Sequence, residues 1–365
     1  MSGSAAFETI ARHIRAEGPM SLADYMTLAL THPQVGYYAT RDPFGAAGDF
    51  TTAPEISQVF GELLGLWCAE RWQAMGEPSR IMLVELGPGR GTLMADALRA
   101  AALLPAFRAA IDVHLIENSL TLREAQARSL APTQVTWHDT LSELPEGPLL
   151  LIANEFFDAL PIRQFQRTAA GWAERRIGLN PEGDALCWGL GAPLPAMSEL
   201  PREAPEGTIL ELCPVARTIA SDLARRVGEH GGAVLIIDYG YTGGSAGDSL
   251  QALRRHRPVD PLACPGDADI TAHVDFQAIT QAAAVSGAEV HGPVEQGTFL
   301  RALGIRERSE VLAAQANAAQ RRNLLAALER LTSSAHMGSL FNALAFTPRA
   351  APVPAGFPQA QEMQA

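Results

Sequence analysis

A glycine-rich turn carries the strongest chemical signal in the sequence. It runs Glu85-Leu86-Gly87-Pro88-Gly89-Arg90-Gly91 and follows an apolar stretch that begins at Ile81. Glycines lack a Cβ and let a ligand approach the backbone, and the carboxyl end of a strand is where open parallel sheets bind ligands. The turn therefore predicts a nucleotide site, whereas a tight strand-to-helix connection without a ligand is the simpler alternative.

Two positions in and beside this turn indicate which nucleotide it binds. The dinucleotide fingerprint G-x-G-x-x-G needs a third glycine at position 92, where this chain has Thr92, and this argues against NAD. Glu85, two positions before Gly87, is the carboxylate that methyltransferases present to the cationic amino-acid end of S-adenosylmethionine. We therefore expect an S-adenosylmethionine site lined by Glu85, Gly87, Pro88, Gly89 and Gly91.

Polar residues at two later strand ends complete the expected cofactor site. Glu117 ends the second predicted strand, where a carboxylate can accept both ribose hydroxyls, although it suits a cap for the next helix equally well. Asp139 follows the third strand and is expected at the adenine amino group, with a plain turn residue as the alternative. Their neighbours Asn118 and Thr140 are assigned to the same site.

The fourth predicted strand ends in Asn154-Glu155-Phe156-Phe157-Asp158, which we expect to hold the substrate. The two carboxylates suit a guanidinium, which binds carboxylates through paired hydrogen bonds. The predicted catalytic residues are Glu155, Asp158 and Asn154, and Asn154 is also assigned to the cofactor. The alternative places both phenylalanines in the core and makes Asp158 a turn cap.

A second loop with glycines, residues 45–52, is expected to fold over a ligand because its backbone can adopt unusual angles. Four residues in and after this loop are assigned to the lid and the substrate side: Asp49, Phe50, Thr52 and Glu55. Phe156 and Phe157 join this set because their rings are expected to pack against the substrate.

The elements that must position these residues alternate as strand, turn and helix from Ile81 onward, which is typical of a parallel sheet with crossover helices. The predicted strands are residues 81–86, 113–117, 135–138, 149–154, 233–238, 289–291 and 340–346. Upstream, Ser21 and Asp24 resemble a capping box that opens a short helix. Pro54 can begin a longer helix whose apolar stripe runs to Trp67.

After Pro161 the alternation breaks into short stretches that indicate an inserted β-rich lobe. We predict an α/β chain with an N-terminal helical cap and lid loop at residues 1–80 and a Rossmann-like core at residues 81–347. The core contains the inserted substrate lobe at 162–210. The tail at 348–365 is rich in proline and alanine and is expected to be disordered.

Composition excludes several classes of function. The net charge of −12 disfavours nucleic acid as a partner, because a phosphate backbone needs a cationic surface. All 28 basic side chains are arginine, which excludes a P-loop lysine and a pyridoxal-phosphate Schiff base. The four cysteines are scattered, which argues against a metal site and a disulfide framework.

The length of the apolar runs and the pattern of the N-terminus indicate where the protein is expected to be located. The longest, residues 149–153 and 233–237, are far shorter than the about 20 residues of a membrane-spanning helix, so no membrane insertion is expected. The N-terminus shows no basic region followed by an apolar one, so no secretory signal is expected. A cytoplasmic location follows.

Several motifs together resemble one family. They are Gly36-Tyr37-Tyr38, residues 48–57 from Gly48 to Ser57, the Glu85 to Thr92 turn, residues 154–161 from Asn154 to Pro161, Asp238-Tyr239-Gly240, and His273-Val274-Asp275-Phe276. With these motifs the sequence resembles the MidA-like family of methyltransferases over nearly its whole length. That family includes a mitochondrial assembly factor of respiratory complex I.

The resemblance implies a seven-stranded class I methyltransferase sheet with an N-terminal helical cap. It also implies transfer of methyl groups to an arginine nitrogen, giving symmetric dimethylarginine, on a protein substrate. The implied substrate is a subunit of NADH:quinone oxidoreductase similar to the mitochondrial 49-kDa one, so the implied role is in complex I assembly. Because no transit peptide precedes the first helix, a bacterial, cytoplasmic protein is expected.

Two other functions remain compatible with the sequence. A small-molecule methyltransferase would share every cofactor residue. A non-catalytic assembly factor could keep the fold, although the intact acidic and glycine positions speak against it. A homodimer is compatible with all three functions.

Overall fold

The computed structural model describes residues 4–40, 51–243 and 247–358. Their helices are α1 (Ala5–Glu17), α2 (Leu22–Thr31), α3 (Tyr37–Thr40), α4 (Ala53–Ile56), α5 (Gln58–Ala74), α6 (Thr92–Ala101), α7 (Pro105–Ala110), α8 (Leu120–Leu130), α9 (Pro214–His230), α10 (Phe276–Val285), α11 (Gln296–Ala302), α12 (Ile305–Gln315), α13 (Ala318–Thr332) and α14 (Met337–Leu340), with a 3₁₀ helix at Leu141–Glu143. Their strands are β1 (Met20–Ser21), β2 (Ile81–Leu86), β3 (Ile111–Ile116), β4 (Val135–His138), β5 (Leu149–Asn154), β6 (Arg163–Thr168), β7 (Gly171–Leu179), β8 (Leu186–Pro193), β9 (Ile209–Leu212), β10 (Gly232–Tyr241), β11 (Gln251–Arg254), β12 (Arg257–Val259), β13 (Asp269–Thr271), β14 (Val274–Asp275), β15 (Glu289–Glu295) and β16 (Phe341–Thr347).

The chain divides into two compact units. The first unit comprises residues 1–50, 158–216 and 243–275, and the second unit comprises residues 51–157, 217–242 and 276–365. Each unit has its own apolar core. No helix in the described ranges is long and apolar enough to cross a bilayer.

The second unit is built on a sheet with the strand order β15-β16-β10-β5-β2-β3-β4. Strands β10, β5, β2, β3 and β4 run parallel, β16 pairs antiparallel with β10, and β15 pairs antiparallel with β16. This order confirms the predicted seven-stranded α/β sheet. Strand β2 lies between β5 and β3, so the glycine turn that follows it is flanked by two other strand ends.

The central strands are buried because their sequences are apolar on both faces. All six residues of β2 and all six of β5 are buried, as expected for parallel strands that are covered by helices on both sides. The register pairs Leu86 with Ile116 on one side and with Ala153 on the other. Glu85, Glu117 and Asn154 therefore lie at neighbouring carboxyl ends of strands.

The helix predicted from Pro54 is divided in two. Ser57 has an extended backbone, with φ −156° and ψ 131°, and its hydroxyl accepts a hydrogen bond from the Val59 nitrogen at 3.2 Å. Serine favours such a capping position over a helix interior, because its hydroxyl competes for backbone donors. The short α4 therefore ends at Ile56, and α5 begins after a new cap.

The first unit contains two antiparallel sheets and the N-terminal helices. One sheet has the order β1-β7-β6-β9 with β8 paired to β7, and the other has the order β12-β11-β13. The predicted cap of α2 is confirmed, because the Ser21 hydroxyl accepts from the Asp24 nitrogen at 3.1 Å. Tyr25, Ile177 and Ile270 are fully buried members of one core and join α2, β7 and β13.

The bounds of the two compact units differ from the domain bounds expected from the sequence. Residues 51–80 do not belong with the cap predicted at 1–80, because α5 packs tightly against α6 of the second unit: a Cβ at Gly65 would lie only 2.6 Å from the Ala97 Cα. The inserted lobe predicted at 162–210 is also larger, since residues 243–275 share its unit. The cause is that β11 and β13 contribute to the same apolar core as α2 and β7.

The tail predicted to be disordered at 348–365 is packed in its described part. The Arg71 Nη1 donates to the Pro352 carbonyl at 2.7 Å, and the Trp67 Nε1 donates to the Ala355 carbonyl at 3.2 Å. Phe357 is 7% exposed, and its ring lies 5.3 Å from that of Phe299. Composition indicated disorder, but buried donors on α5 satisfy the carbonyls of this segment. Residues 359–365 lie outside the described ranges.

Candidate active site

The glycine turn after β2 has a backbone that only glycine adopts at low cost. Gly87, Gly89 and Gly91 have φ angles of 60°, 53° and 79°, all in the left-handed region. A Cβ at Gly87 would lie 2.9 Å from Cδ2 of Phe156, so the ring of Phe156 packs directly on this turn. The turn after β2 and the turn after β5 are therefore in contact.

Two buried acceptor atoms at these strand ends have no hydrogen-bond partner within the described residues: Oε2 of Glu85 and Oδ1 of Asn154. Glu85 is 3% exposed, and burial raises its pKa to about 8, although a bond from the backbone of Met94 opposes the shift. Buried polar atoms are nearly always hydrogen-bonded in folded proteins. Two orphaned acceptors at adjacent strand ends therefore point to a ligand that carries donors.

Glu117 is a buried carboxylate with defined partners at the end of β3. Its Oε1 accepts from the Ser119 nitrogen at 2.8 Å and its Oε2 accepts from Nε2 of Gln126 at 3.2 Å. Burial raises its pKa, and the bonds from Ser119 and Gln126 oppose the increase. The carboxylate thus supports the start of α8, as the capping alternative expected, and it also lies beside the glycine turn.

The other residues assigned to the adenosine side lie at the surface. The Asp139 side chain is 67% exposed and forms an ion pair with Arg123. Thr140 is exposed, and its hydroxyl lies 2.9 Å from that of Ser142. Asn118 is exposed as well. Of the four residues assigned to this side, Glu117 is the buried one.

Glu155 follows β5 in a strained conformation. Its φ is +50°, which is unusual for a residue with a Cβ. Its Oε1 accepts from the Ala53 nitrogen at 2.8 Å and from Nδ2 of Asn154 at 3.1 Å. Such strain in a defined turn is a reason to consider a functional role for the residue.

Asp238 at the end of β10 fixes the turn that contains Glu155. Its Oδ2 accepts from the backbone nitrogens of Phe156 at 3.1 Å and Phe157 at 2.9 Å, and its Oδ1 accepts from the Tyr239 nitrogen at 2.9 Å. The carboxylate is fully buried. The sequence showed Asp238 only as part of a family motif, and its role becomes visible only when β10 is placed next to β5.

Residues of the expected lid are partly described. Glu55 accepts from the Thr92 hydroxyl at 2.6 Å, which joins α4 to the start of α6. Thr52 is buried, and its carbonyl accepts from the Glu55 nitrogen at 3.0 Å. Asp49 and Phe50 lie outside the described residues. The described part of this set therefore contacts the glycine turn through Glu55.

Phe156 and Phe157 belong to the second unit of the chain, whereas Asp158 belongs to the first unit. Phe157 is 3% exposed, and its ring meets that of Phe156 edge to face at 5.6 Å. Phe157 is thus a core residue, as the alternative expected. Asp158 belongs to the first unit, where its carbonyl accepts from the Ala272 nitrogen at 3.0 Å.

The described residues contain no group of three or more His, Cys, Asp or Glu side chains that could hold a metal ion. The groups described at these strand ends are carboxylates, amides and backbone groups. These groups suit a cationic, hydroxyl-bearing ligand.

Comparisons with known proteins point to the same ligand class. A family model described as "Putative S-adenosyl-L-methionine-dependent methyltransferase" matches residues 63–294. Protein arginine methyltransferase NDUFAF7, mitochondrial, from Danio rerio is 38% identical over 91% of this chain and 84% of that protein. The protein of the same name from Homo sapiens is 38% identical over 92% of this chain and 81% of that protein.

A solved structure is similar over the whole chain. It is a protein from Burkholderia thailandensis with S-adenosyl-homocysteine bound, and it aligns with a TM-score of 0.82 at 29% identity. The alignment covers 96% of this chain and 94% of that chain.

The residues present here fit S-adenosylmethionine. Its ammonium group would satisfy a buried carboxylate such as Glu85, whose Oε2 has no partner among the described atoms. Its ribose hydroxyls are donors that a buried carboxylate such as Glu117 can accept. Gly87 and Gly89 have a left-handed backbone that residues with a Cβ rarely adopt, and Phe156 packs where a Cβ at Gly87 would lie.

Proposed function

Because the chain belongs to this family of S-adenosylmethionine-dependent methyltransferases, we propose that it methylates an arginine side chain of a protein, giving symmetric dimethylarginine. The whole-chain similarity confirms the MidA-like family predicted from the sequence, and the bound ligand of the Burkholderia protein supports the predicted cofactor. The arginine substrate is supported by the names of the NDUFAF7 relatives. We extend the proposal to a subunit of NADH:quinone oxidoreductase and to a role in assembly of that complex.

The cofactor is assigned to residues at three strand ends. Glu85 and Asn154 would hold its amino-acid end, Gly87 and Gly89 would contact it through the backbone, and Glu117 would accept the ribose hydroxyls. The remaining assigned residues are Pro88, Gly91, Asn118, Asp139 and Thr140. When bound, S-adenosylmethionine supplies a methyl group on a sulfonium.

The position of Glu155 is the observation that carries the proposal for arginine. It is a half-buried carboxylate in a turn whose next residue, Phe156, packs on the glycine turn. Arginine remains protonated in proteins, so a site that brings a guanidinium to a cationic sulfonium needs negative charge. Glu155, with Glu55 in support, would provide that charge and orient the guanidinium.

The transfer is an in-line displacement. An arginine nitrogen forms a bond to the methyl carbon while the carbon–sulfur bond breaks and its electron pair stays on sulfur. The nitrogen then gives up one proton, for which the Glu155 carboxylate is the proposed acceptor. The protein contributes mainly by aligning the reacting atoms and excluding water, because the substitution itself needs no further chemical group.

The experiment uses purified protein, methyl-labelled S-adenosylmethionine and an extract of host cells that lack the gene. We expect label in one protein band, and mass spectrometry of complex I subunits should find it on an arginine. Label in small metabolites would instead establish a small-molecule methyltransferase. Cofactor binding without any transferred label would indicate the non-catalytic assembly factor.

A further inference from the structure

Gln126 lies in the middle of α8 and connects three parts of the cofactor site. It is fully buried. Its Nε2 donates to the Gly89 carbonyl at 2.8 Å and to Oε2 of Glu117 at 3.2 Å. Its Oε1 accepts from Nε1 of Trp137 at 2.8 Å. One side chain thus joins the glycine turn, the end of β3 and strand β4.

The orientation of this amide follows from its partners. The Trp137 indole nitrogen is only a donor, and the Gly89 carbonyl is only an acceptor. The amide oxygen must therefore face Trp137, and the amide nitrogen must face Gly89 and Glu117. Both hydrogens of the nitrogen have an acceptor, so Gln126 is held in one orientation.

We propose that Gln126 is a positioning residue for the cofactor, which fixes the Glu117 carboxylate relative to the glycine turn. This rests on the proposed contact of Glu117 with the ribose, and it is independent of the identity of the methyl acceptor. Without the amide donor, the buried Oε2 of Glu117 would lose the partner that Gln126 provides. The carboxylate would then turn toward other donors and away from the ribose hydroxyls.

Helix α8 also contacts the turn directly, which makes this arrangement rigid. A Cβ at Gly91 would lie 3.5 Å from the Gln126 Cα. The charged group next to Glu117 on α8 is Arg123, whose Nε donates to the Glu117 carbonyl at 2.6 Å and which pairs with Asp139. The charge of Arg123 and the backbone nitrogens of Asn118 and Ser119 also stabilise the Glu117 carboxylate, and Gln126 is the side chain that donates to its Oε2.

Gln126→Glu tests the proposal because it keeps the size of the side chain and the acceptor for Trp137. The new carboxyl group has at most one hydrogen to donate, so it cannot serve both the Gly89 carbonyl and Glu117, and its ionised form repels Glu117. We expect the Kd for S-adenosylmethionine, measured by calorimetry on the full chain, to rise at least about tenfold. A higher pH favours the ionised form, so the deficit relative to wild type should be larger at about pH 8 than at about pH 6.

Two further variants separate positioning from stability. Gln126→Met has a similar length but no amide, so its loss of affinity should be the same at both pH values. Gln296→Glu is the matched control, because Gln296 is also fully buried and its Nε2 donates to the Leu331 carbonyl at 2.9 Å. It should lower the melting temperature and leave the Kd unchanged.

The proposal is overturned if Gln126→Glu and Gln126→Met bind S-adenosylmethionine within about twofold of wild type. A deficit of Gln126→Glu that does not change with pH would also overturn it. Should Gln126→Glu fail to fold, the comparison of Gln126→Met with Gln296→Glu decides. Since no measurement uses a methyl acceptor, failure here is distinct from failure of the arginine assignment.

Discussion

Glu155 accepts a hydrogen bond from the backbone nitrogen of Ala53 at 2.8 Å, so the carboxylate proposed to hold a guanidinium also anchors the start of α4. The same oxygen accepts from the Asn154 amide. The contact explains how a residue with a left-handed backbone is kept in place next to the glycine turn. A variant that tests the charge of Glu155 must therefore keep an acceptor for the Ala53 nitrogen.

Glu155→Gln should fold and bind cofactor normally, because the amide oxygen can still accept from Ala53. Without the negative charge, the guanidinium is no longer oriented or compensated, so we expect methyl transfer to fall about a hundredfold or more. Transfer of labelled methyl groups measures the loss, and calorimetry with S-adenosylmethionine is the control. Wild-type turnover of this variant would remove Glu155 from the mechanism.

Glu117→Ala should weaken cofactor binding. A hydrogen bond to a charged group contributes about 1.5–3 kcal/mol, so the Kd should rise by about 10- to 100-fold. Asp139→Ala is the comparison, because its side chain is 67% exposed and should contribute less. An unchanged affinity of Glu117→Ala in calorimetry would show that the ribose contact is misplaced.

Binding of the cofactor should release protons through Glu85. Burial raises the pKa of this carboxyl to about 8, so at about pH 7 most molecules carry it protonated. An ammonium group placed beside it favours the ionised form, so its pKa falls on binding and a proton leaves. Below about pH 8, affinity should therefore increase as the pH rises.

Calorimetry in buffers with different ionisation enthalpies measures this release. Glu85→Gln is the control, since it keeps the shape but cannot titrate. Wild type should release more protons per bound cofactor than the variant does. Equal release by the two proteins would contradict an ammonium contact at Glu85.

Asp238→Asn should loosen the turn after β5. Both of its oxygens accept from backbone nitrogens, so in either orientation an amide nitrogen would face a backbone donor and leave it without an acceptor. We expect about 2 kcal/mol or more of lost stability, together with a loss of methyl transfer that exceeds the loss of cofactor affinity.

Glu62→Gln provides the comparison for Asp238. Glu62 is a buried carboxylate on α5 that binds Arg99 and Arg308. It should lose stability while the folded enzyme keeps its turnover. If both variants lose turnover only in proportion to their unfolded fraction, Asp238 has no role beyond stability.

The sequence predicted β2, β4 and β5 with the bounds that the structure has. In each of these segments an apolar or alternating run ends at glycine or at an acidic residue, so the local pattern decides the structure. The glycine turn and Glu117 were located for the same reason: each follows a well-marked strand. The parallel order of the strands then brings them together.

The sequence did not reveal the hydrogen bonds that Gln126 and Asp238 make at the strand ends. A single glutamine on a helix gives no signal until β4 and the glycine turn are placed around it. The tail was misjudged for a similar reason, since composition does not show that Arg71 and Trp67 on α5 donate to its carbonyls. Such long-range hydrogen bonds depend on the tertiary fold and not on local pattern.

The packed tail gives a stability prediction. Phe357 is 7% exposed and contacts Phe299, so Phe357→Ala should cost about 3 kcal/mol through lost burial and the cavity it leaves. Val285→Ala serves as control, because Val285 is 89% exposed and should change stability by less than about 0.5 kcal/mol. Urea unfolding compares the two. Equal stability of both variants would mean that the tail does not pack in solution.

A crystal structure of the protein with S-adenosyl-homocysteine tests the central claim most directly. We expect the ligand on the backbone of Gly87 and Gly89, with Glu85 facing its amino group and Glu117 within hydrogen-bond distance of both ribose hydroxyls. A ligand bound elsewhere, or a ribose that does not contact Glu117, would contradict the account.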